Sequence, residues 1–320
     1  MIERSRLPLI ALAVLAVAAG CTFLRPPPAP VVPPAVVAPP PVPARLPTPT
    51  PLPTRPAVPR PAPKIALVLG GGAARGFAHI GVIKVLEEQG IVPDIVVGTS
   101  AGAVVAALYA AGKSGFELQR LAIEMDEGQF NDWSIPDRGV LKGEALQRFV
   151  NQAVGDRPLE KLGRPIAVVA TDLNSGEPVM FRSGDTGMAV RASSSVPGLF
   201  QPVTIEGRQY VDGGLYSPVP VRIARTLGAT FVIASDISAR PSNGKTVSTM
   251  DVLLQTFTIM VQAINRRELP EADVVIRPDT SGLGATDFKD RHVAVLEGER
   301  AASAAMPDIK ARLARLREGR

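Results

Sequence analysis

The 320-residue sequence has one cysteine, two histidines, one tryptophan and only 4% aromatic residues. A lone cysteine, Cys21, can form no internal disulfide. Scarce aromatics leave few platforms on which bases could stack. The formal charge of +5 does not mark a polyanion binder, because all of it sits at one end. Residues 1–63 carry Arg4, Arg6, Arg25, Arg45, Arg55 and Arg60 against Glu3. The remaining 29 basic residues meet 29 acidic ones, so the rest of the chain is neutral and no nucleic-acid partner is expected.

The N-terminal apolar run is also short. Leu7 to Ala19 spans 13 residues, whereas a spanning helix needs about 20. With Arg4 and Arg6 ahead of it, the run reads as a cleavable export signal over residues 1–20. It runs into Ala18-Ala19-Gly20-Cys21. Small residues leading into a single Cys behind an apolar segment resemble a bacterial lipobox, which implies acylation of Cys21. Ala18 departs from the Leu usual in that motif, and ordinary cleavage after Ala18 is the alternative. Thr22 is not the Asp that retains such proteins at the inner membrane. The resemblance therefore implies an outer-membrane anchor facing the periplasm.

Residues 22–63 hold 18 prolines and four arginines, with no Asp, Glu, Lys or Gly. Such a stretch builds no core and favours polyproline II. At roughly 3.1 Å per residue it extends on the order of 130 Å, a stiff tether.

From Lys64 to Arg320 the pattern is one α/β domain. Apolar strands are expected at Ile65–Leu69, Ile95–Val97, Pro165–Ala170, Val179–Phe181, Val203–Ile205, Gln209–Val211, Thr230–Ala234 and Val274–Ile276. Helices are expected at Gly76–Gln89, Ala101–Ala111, Gly115–Met125, Gly143–Val154, Pro218–Leu227 and Thr249–Arg267, with one or two more between Arg291 and Leu316. Uninterrupted apolar strands separated by helices imply a mainly parallel sheet covered on both faces. Ala239–Lys245 is polar and reads as a surface loop.

Three motifs punctuate this pattern. Gly98-Thr99-Ser100-Ala101-Gly102 lies between an apolar strand and a helix, the setting of a nucleophile elbow. Gly70-Gly71-Gly72-Ala73-Ala74-Arg75-Gly76 also joins a strand to a helix, where backbone N–H groups and a helix N-terminus converge on negative charge. No Lys-Ser/Thr follows these glycines, which excludes a P-loop. The second strand ends in the Ser100 elbow rather than the acid of a dinucleotide site. The third motif is Tyr210-Val211-Asp212-Gly213-Gly214, which would otherwise read as a hairpin turn. A serine nucleophile needs a base. Of the two histidines, His79 reads as a helix-packing residue and His292 lies far along the chain.

In this order and setting the motifs resemble the patatin-like phospholipase family, most closely its small bacterial branch. The resemblance extends to Gly76-Phe77-Ala78-His79-Ile80-Gly81-Val82, Ala170-Thr171-Asp172-Leu173-Asn174-Ser175-Gly176, Arg191-Ala192-Ser193-Ser194-Ser195-Val196-Pro197-Gly198 and Ala272-Asp273-Val274-Val275-Ile276-Arg277-Pro278. It implies a three-layer sandwich and hydrolysis of phospholipid or another acyl ester by a Ser100–Asp212 dyad, with no metal or cofactor. Gly71, Gly72 and Ala73 are implied as the oxyanion hole, and Arg75, Gly76, Gly98, Gly102, Gly213 and Gly214 as residues that support the three motifs. Ala73 departs from the family's loop, which has glycine there. Arg75 is open to bracing the loop, binding a lipid phosphate or a surface ion pair. Asp172 and Ser193–Ser195 read as caps and packing around the site.

Two rival readings accompany this one. Ser100, Asp212 and His292 stand in the chain order of an α/β-hydrolase triad. Alternatively, the chain is a tethered envelope protein with an inert hydrolase fold.

Overall fold

The computed structural model describes residues 62–125, 139–241, 247–284 and 288–318, all within the unit Val58–Arg320. The expected export signal, Cys21 and nearly all of the tether lie outside the described residues. So does part of the polar Ala239–Lys245 stretch.

Five strands form the parallel body of the main sheet, in the order β10 (Val274–Ile276), β9 (Phe231–Ser235), β1 (Ile65–Leu69), β2 (Ile95–Thr99) and β4 (Ile166–Asp172). Three antiparallel strands complete it. β5 (Pro178–Phe181) and β8 (Arg208–Asp212) pair with β4, and β7 (Val203–Ile205) pairs with β8. A separate parallel pair joins β3 (Gly139–Leu141) to β6 (Gly198–Phe200).

Side chains alternate across a strand, and here both faces are buried. Ile65, Leu67, Leu69, Val96, Val168, Phe231 and Ile233 share one core with α1 (Ala78–Glu88), α2 (Ala101–Ala110), α3 (Gly115–Glu124) and α8 (Arg291–Glu318). Ala66, Val68, Val97, Ala167, Val169 and Val232 form the other core with Val221, Ile223 and Ala224 of α6 (Val221–Thr226). Two cores on one sheet make three layers. Burial on both faces is the reason the strands read as unbroken apolar runs.

The remaining helices are α4 (Glu144–Val154), α5 (Thr186–Ser193) and α7 (Thr249–Glu268). α5 has no counterpart among the expected helices. It is short, and its signals are local: Asp185 caps the N–H of Met188 at 2.5 Å, while Gly187 lets α4 approach so closely that a Cβ there would lie 2.2 Å from the Gln147 carbonyl oxygen. The expected helix from Gly76 begins instead as a 3-10 turn, Ala73–Phe77, ahead of α1. α8 runs unbroken through Pro307. Proline removes one backbone bond, but Ala302, Met306, Ile309 and Leu313 are buried on both sides of it and hold the helix together.

Candidate active site

The register around β4 sets the geometry of the site. Val168 is opposite both Gly98 of β2 and Phe181 of β5, so those strands occupy opposite edges of β4. Ala170 is opposite both Asp212 of β8 and Val179 of β5. β8 therefore lies on the same edge as β2. The parallel strand ends with Thr99 opposite Val169, and the antiparallel one ends with Asp212 opposite Ala170, the next residue. Two strands meet end to end, and the residues that leave them are Ser100 and Asp212. Gly213 makes the junction possible, since a Cβ there would stand 2.2 Å from the Val169 carbonyl oxygen.

Ser100 turns sharply between β2 and α2, with φ 55° and ψ −124°. Positive φ in a residue other than glycine costs of order 1–3 kcal/mol and persists only where the surroundings enforce it. The Ser100 N–H donates to Ser193 Oγ at 2.8 Å, and the Ser193 hydroxyl donates to the Val169 carbonyl at 2.5 Å. The Ser100 carbonyl accepts the first bond of α2, from Ala103 N–H at 2.8 Å. Gly102 packs against β1 so tightly that a Cβ would lie 2.1 Å from the Leu69 carbonyl oxygen. Gly98 in turn faces Gly102. Thr99 Oγ1 donates to the Ser217 carbonyl at 2.9 Å, tying the elbow to the loop after Asp212.

The glycine loop approaches from β1. The Gly70 N–H donates to the Ser235 carbonyl at 3.0 Å and the Gly71 N–H to the Pro218 carbonyl at 2.9 Å. Gly71 lies against the nucleophile, with its Cβ position 3.2 Å from Ser100 Cβ. Its N–H, however, is already committed, which narrows the three expected anion donors to Gly72 and Ala73. These two open the 3-10 turn, whose bond from Arg75 N–H to the Gly72 carbonyl measures 3.2 Å, and the leading N–H groups of a helical turn have no partner within it. Ala73 adopts φ 51°, the left-handed conformation that suits the family's glycine.

Below the loop, His79 is fully buried. Its Nε2 lies 2.8 Å from the Gly70 carbonyl and its Nδ1 2.8 Å from Ser235 Oγ. A carbonyl only accepts, so Nε2 carries the proton and the Ser235 hydroxyl donates to Nδ1. Burial pushes the imidazole pKa down to about 4, although the Gly70 carbonyl favours the charged form. His79 is thus a neutral strut for the loop. Arg75 Nε donates to the Ile237 carbonyl at 3.1 Å, also bracing the loop, and burial lowers its pKa. A Cβ on Gly76 would stand 2.8 Å from Ala101 Cβ, so its absence seats the turn on the head of α2.

Asp212 is 1% exposed. Its Oδ1 accepts from Gly214 N–H at 2.7 Å. Its Oδ2 is buried and makes no completed hydrogen bond. Burial raises the carboxyl to about 6, and the neighbouring Ser100 hydroxyl and Gly214 N–H hold it below a still higher value. The arrangement is a poised acceptor next to a serine hydroxyl. His292 is exposed on α8 and does not figure among the groups that perturb Asp212. Asp172 caps its turn, accepting from Asn174 N–H at 2.9 Å and Ser175 N–H at 3.0 Å. Ser193, expected to cap or pack around the site, holds the backbone of the nucleophile itself; the Ser-rich run was the available signal.

The fold and site define a three-layer α/β sandwich with a serine on a strained elbow, abutting a buried carboxylate. Residues 67–225 match the family model described as patatin-like phospholipase, and the chain belongs to that family. An uncharacterized NTE family protein of Mycobacterium tuberculosis is 32% identical over 275 residues, covering 77% of this chain and 47% of that protein. Patatin-like phospholipase domain-containing protein 6 of Mus musculus is 34% identical over 227 residues, covering 68% of this chain and 16% of that protein. The chain thus spans about half the length of the mycobacterial relative. The crystal structure of VipD from Legionella pneumophila shares the fold, with a TM-score of 0.53 at 16% identity over 78% of this chain and 67% of that one.

Proposed function

We propose that the chain is a serine acyl-ester hydrolase of the phospholipase A or lysophospholipase type, acting on membrane lipids through Ser100 and Asp212. The observation that carries this reading is the buried, unpartnered Oδ2 of Asp212 beside the Ser100 hydroxyl. Above about pH 6 the carboxyl is ionised and accepts the Ser100 proton as Oγ bonds to the ester carbonyl carbon. The oxyanion that forms is held by the N–H groups of Gly72 and Ala73, where losing one donor costs about 2.7–4 kcal/mol in transition-state stabilisation. Collapse breaks the ester C–O bond, and Asp212 returns the proton to the leaving alcohol. Water then gives its proton to Asp212 and attacks the acyl-enzyme, releasing the fatty acid and restoring Ser100. This route needs no imidazole, in keeping with the commitment of both His79 nitrogens and the exposure of His292.

The proposed location is the bacterial envelope, with acylated Cys21 and the Pro-rich tether holding the domain at the outer membrane. The lipobox resemblance and the proline-rich composition support it. Fluorophosphonate labelling tests the chemistry. Wild type is expected to label and Ser100→Ala not to; labelling that persists in Ser100→Ala refutes the assignment. Loss of turnover in folded His292→Ala promotes the triad, and a wild type that neither labels nor turns over any acyl ester promotes the inert reading.

A further inference from the structure

α7 carries an apolar face with no partner among the described residues. Val252 is 50% exposed and Ile259 52%, with Met260 also exposed. Residues 252, 256, 259, 260 and 263 recur at helical spacing on one side, and the structure exposes all five: Val252, Thr256, Ile259, Met260 and Ala263. The opposite side is the one that packs inward, through Val261, Asn265 and Glu268. Contiguous exposed apolar surface of this kind marks an interaction site.

Three further observations identify the occupant. Thr256, on this stripe, turns its hydroxyl back onto the helix, donating to the Val252 carbonyl at 2.8 Å. Its hydroxyl therefore needs no water. The charge pattern is one-sided. Asp251 is consumed in the N-terminal capping box with Ser248, no other charged residue occurs before Arg266, and the exposed stripe ends on Arg266 and Arg267. An apolar face ending in cations suits hydrocarbon bordered by anionic phosphates. Finally, the helix walls the catalytic loops. Phe257 stands 3.0 Å from the Cβ position of Gly214, whose N–H holds Asp212, while Met250 and Leu253 reach within 4.0 Å of that of Gly198.

We infer that α7 is an interfacial helix that lies on an anionic phospholipid surface and presents the mouth of the Ser100 site to it. It lies on the surface rather than crossing, since no helix among the described residues is long and apolar enough to span a membrane. The substrate side of this inference rests on the hydrolase reading above, whereas the docking itself does not.

The test separates the two. In the full chain carrying Cys21→Ser and Ser100→Ala, a single environment-sensitive fluorophore is placed by Val252→Cys, by Ile259→Cys or, as a control on α8, by Ala314→Cys. With vesicles of phosphatidylcholine and phosphatidylglycerol, the labels at 252 and 259 are expected to shift to the blue and to be quenched by doxyl-labelled lipids, and the label at 314 to do neither. Absence of shift and quenching at 252 and 259 overturns the inference. So does a blue shift that grows with protein concentration without lipid, which assigns the face to a second copy of the chain. In the chain with Ser100 intact, Val252→Gln with Ile259→Gln is expected to lower vesicle hydrolysis by about tenfold or more and leave turnover of a soluble short-chain ester unchanged. If neither chain hydrolyses any ester, the hydrolase reading fails while the fluorophores still decide the docking.

Discussion

Asp212→Asn is expected to destroy activity and stabilise the protein. The folded-state carboxyl titrates at about 6 against 3.8 in the unfolded chain, so the native state binds the proton more tightly and loses relative stability as pH rises through that window. The cost is about 3 kcal/mol once pH exceeds both values. Asparagine keeps an acceptor for the Gly214 N–H and removes the charge. His79 carries the opposite sign. Its pKa falls from 6.5 to about 4 on folding, so the stability it supports is present above pH 6.5 and lost as pH falls toward 4, again by about 3 kcal/mol. In wild type the two largely cancel between pH 6.5 and 4. In Asp212→Asn only the histidine remains, so the variant gains about 3 kcal/mol at pH 7.5, and this advantage shrinks to about 1 kcal/mol at pH 4.5. Urea unfolding at the two pH values reads both numbers. An Asn variant no more stable than wild type at pH 7.5, or one whose advantage is independent of pH, refutes the assignment of a costly buried charge to Asp212.

Ser193→Ala strips the Ser100 N–H of its acceptor, which costs about 1–3 kcal/mol for an unpaired buried donor. Turnover of a soluble ester is expected to fall with little change in KM; a variant of wild-type kcat shows that the elbow needs no such clamp. Ala73→Gly relieves left-handed backbone that costs an L-residue roughly 1–2 kcal/mol, so the melting temperature is expected to hold or rise, and a clear fall refutes that strain. The kcat/KM of wild type on a soluble ester should rise with pH through a single apparent pKa near 6, following Asp212; a flat profile from pH 5 to pH 8 contradicts its role as base. Cys21→Ser is expected to move the protein from the membrane fraction to the soluble periplasm, and a mutant that resists high-salt and carbonate washes refutes the lipobox.

The body of the sheet was legible because both of its faces are buried, so each central strand appears as an apolar run, with Gly70 and Gly98 marking the exits of the first two. Ser100 and Asp212 were legible by motif and by the family resemblance they carry. Their adjacency was not, because it arises from the register of β4, and pairing partners leave no mark in a linear sequence. The same limit hid the bond between Gly71 and Pro218, which removes one expected anion donor. α5 was missed because eight residues with an internal glycine carry little periodic signal, and its stability comes from α4. The apolar face of α7 was visible as residues but not as a surface. Helical spacing fits a core-facing stripe equally well, and only packing decides which side looks outward.

The end-to-end meeting of β2 and β8 along β4 makes the separation of nucleophile and base a matter of register rather than of loop length. A strand rises about 3.4 Å per residue and turns alternate side chains to opposite faces. Sliding β8 by one residue would point Asp212 away from Ser100, and sliding it by two would displace it by about 7 Å. No small adjustment lies between these states. Drift in the loops that join the strands, however large, therefore leaves the spacing of the pair untouched, and the site tolerates long insertions elsewhere so long as one edge of one strand keeps its count.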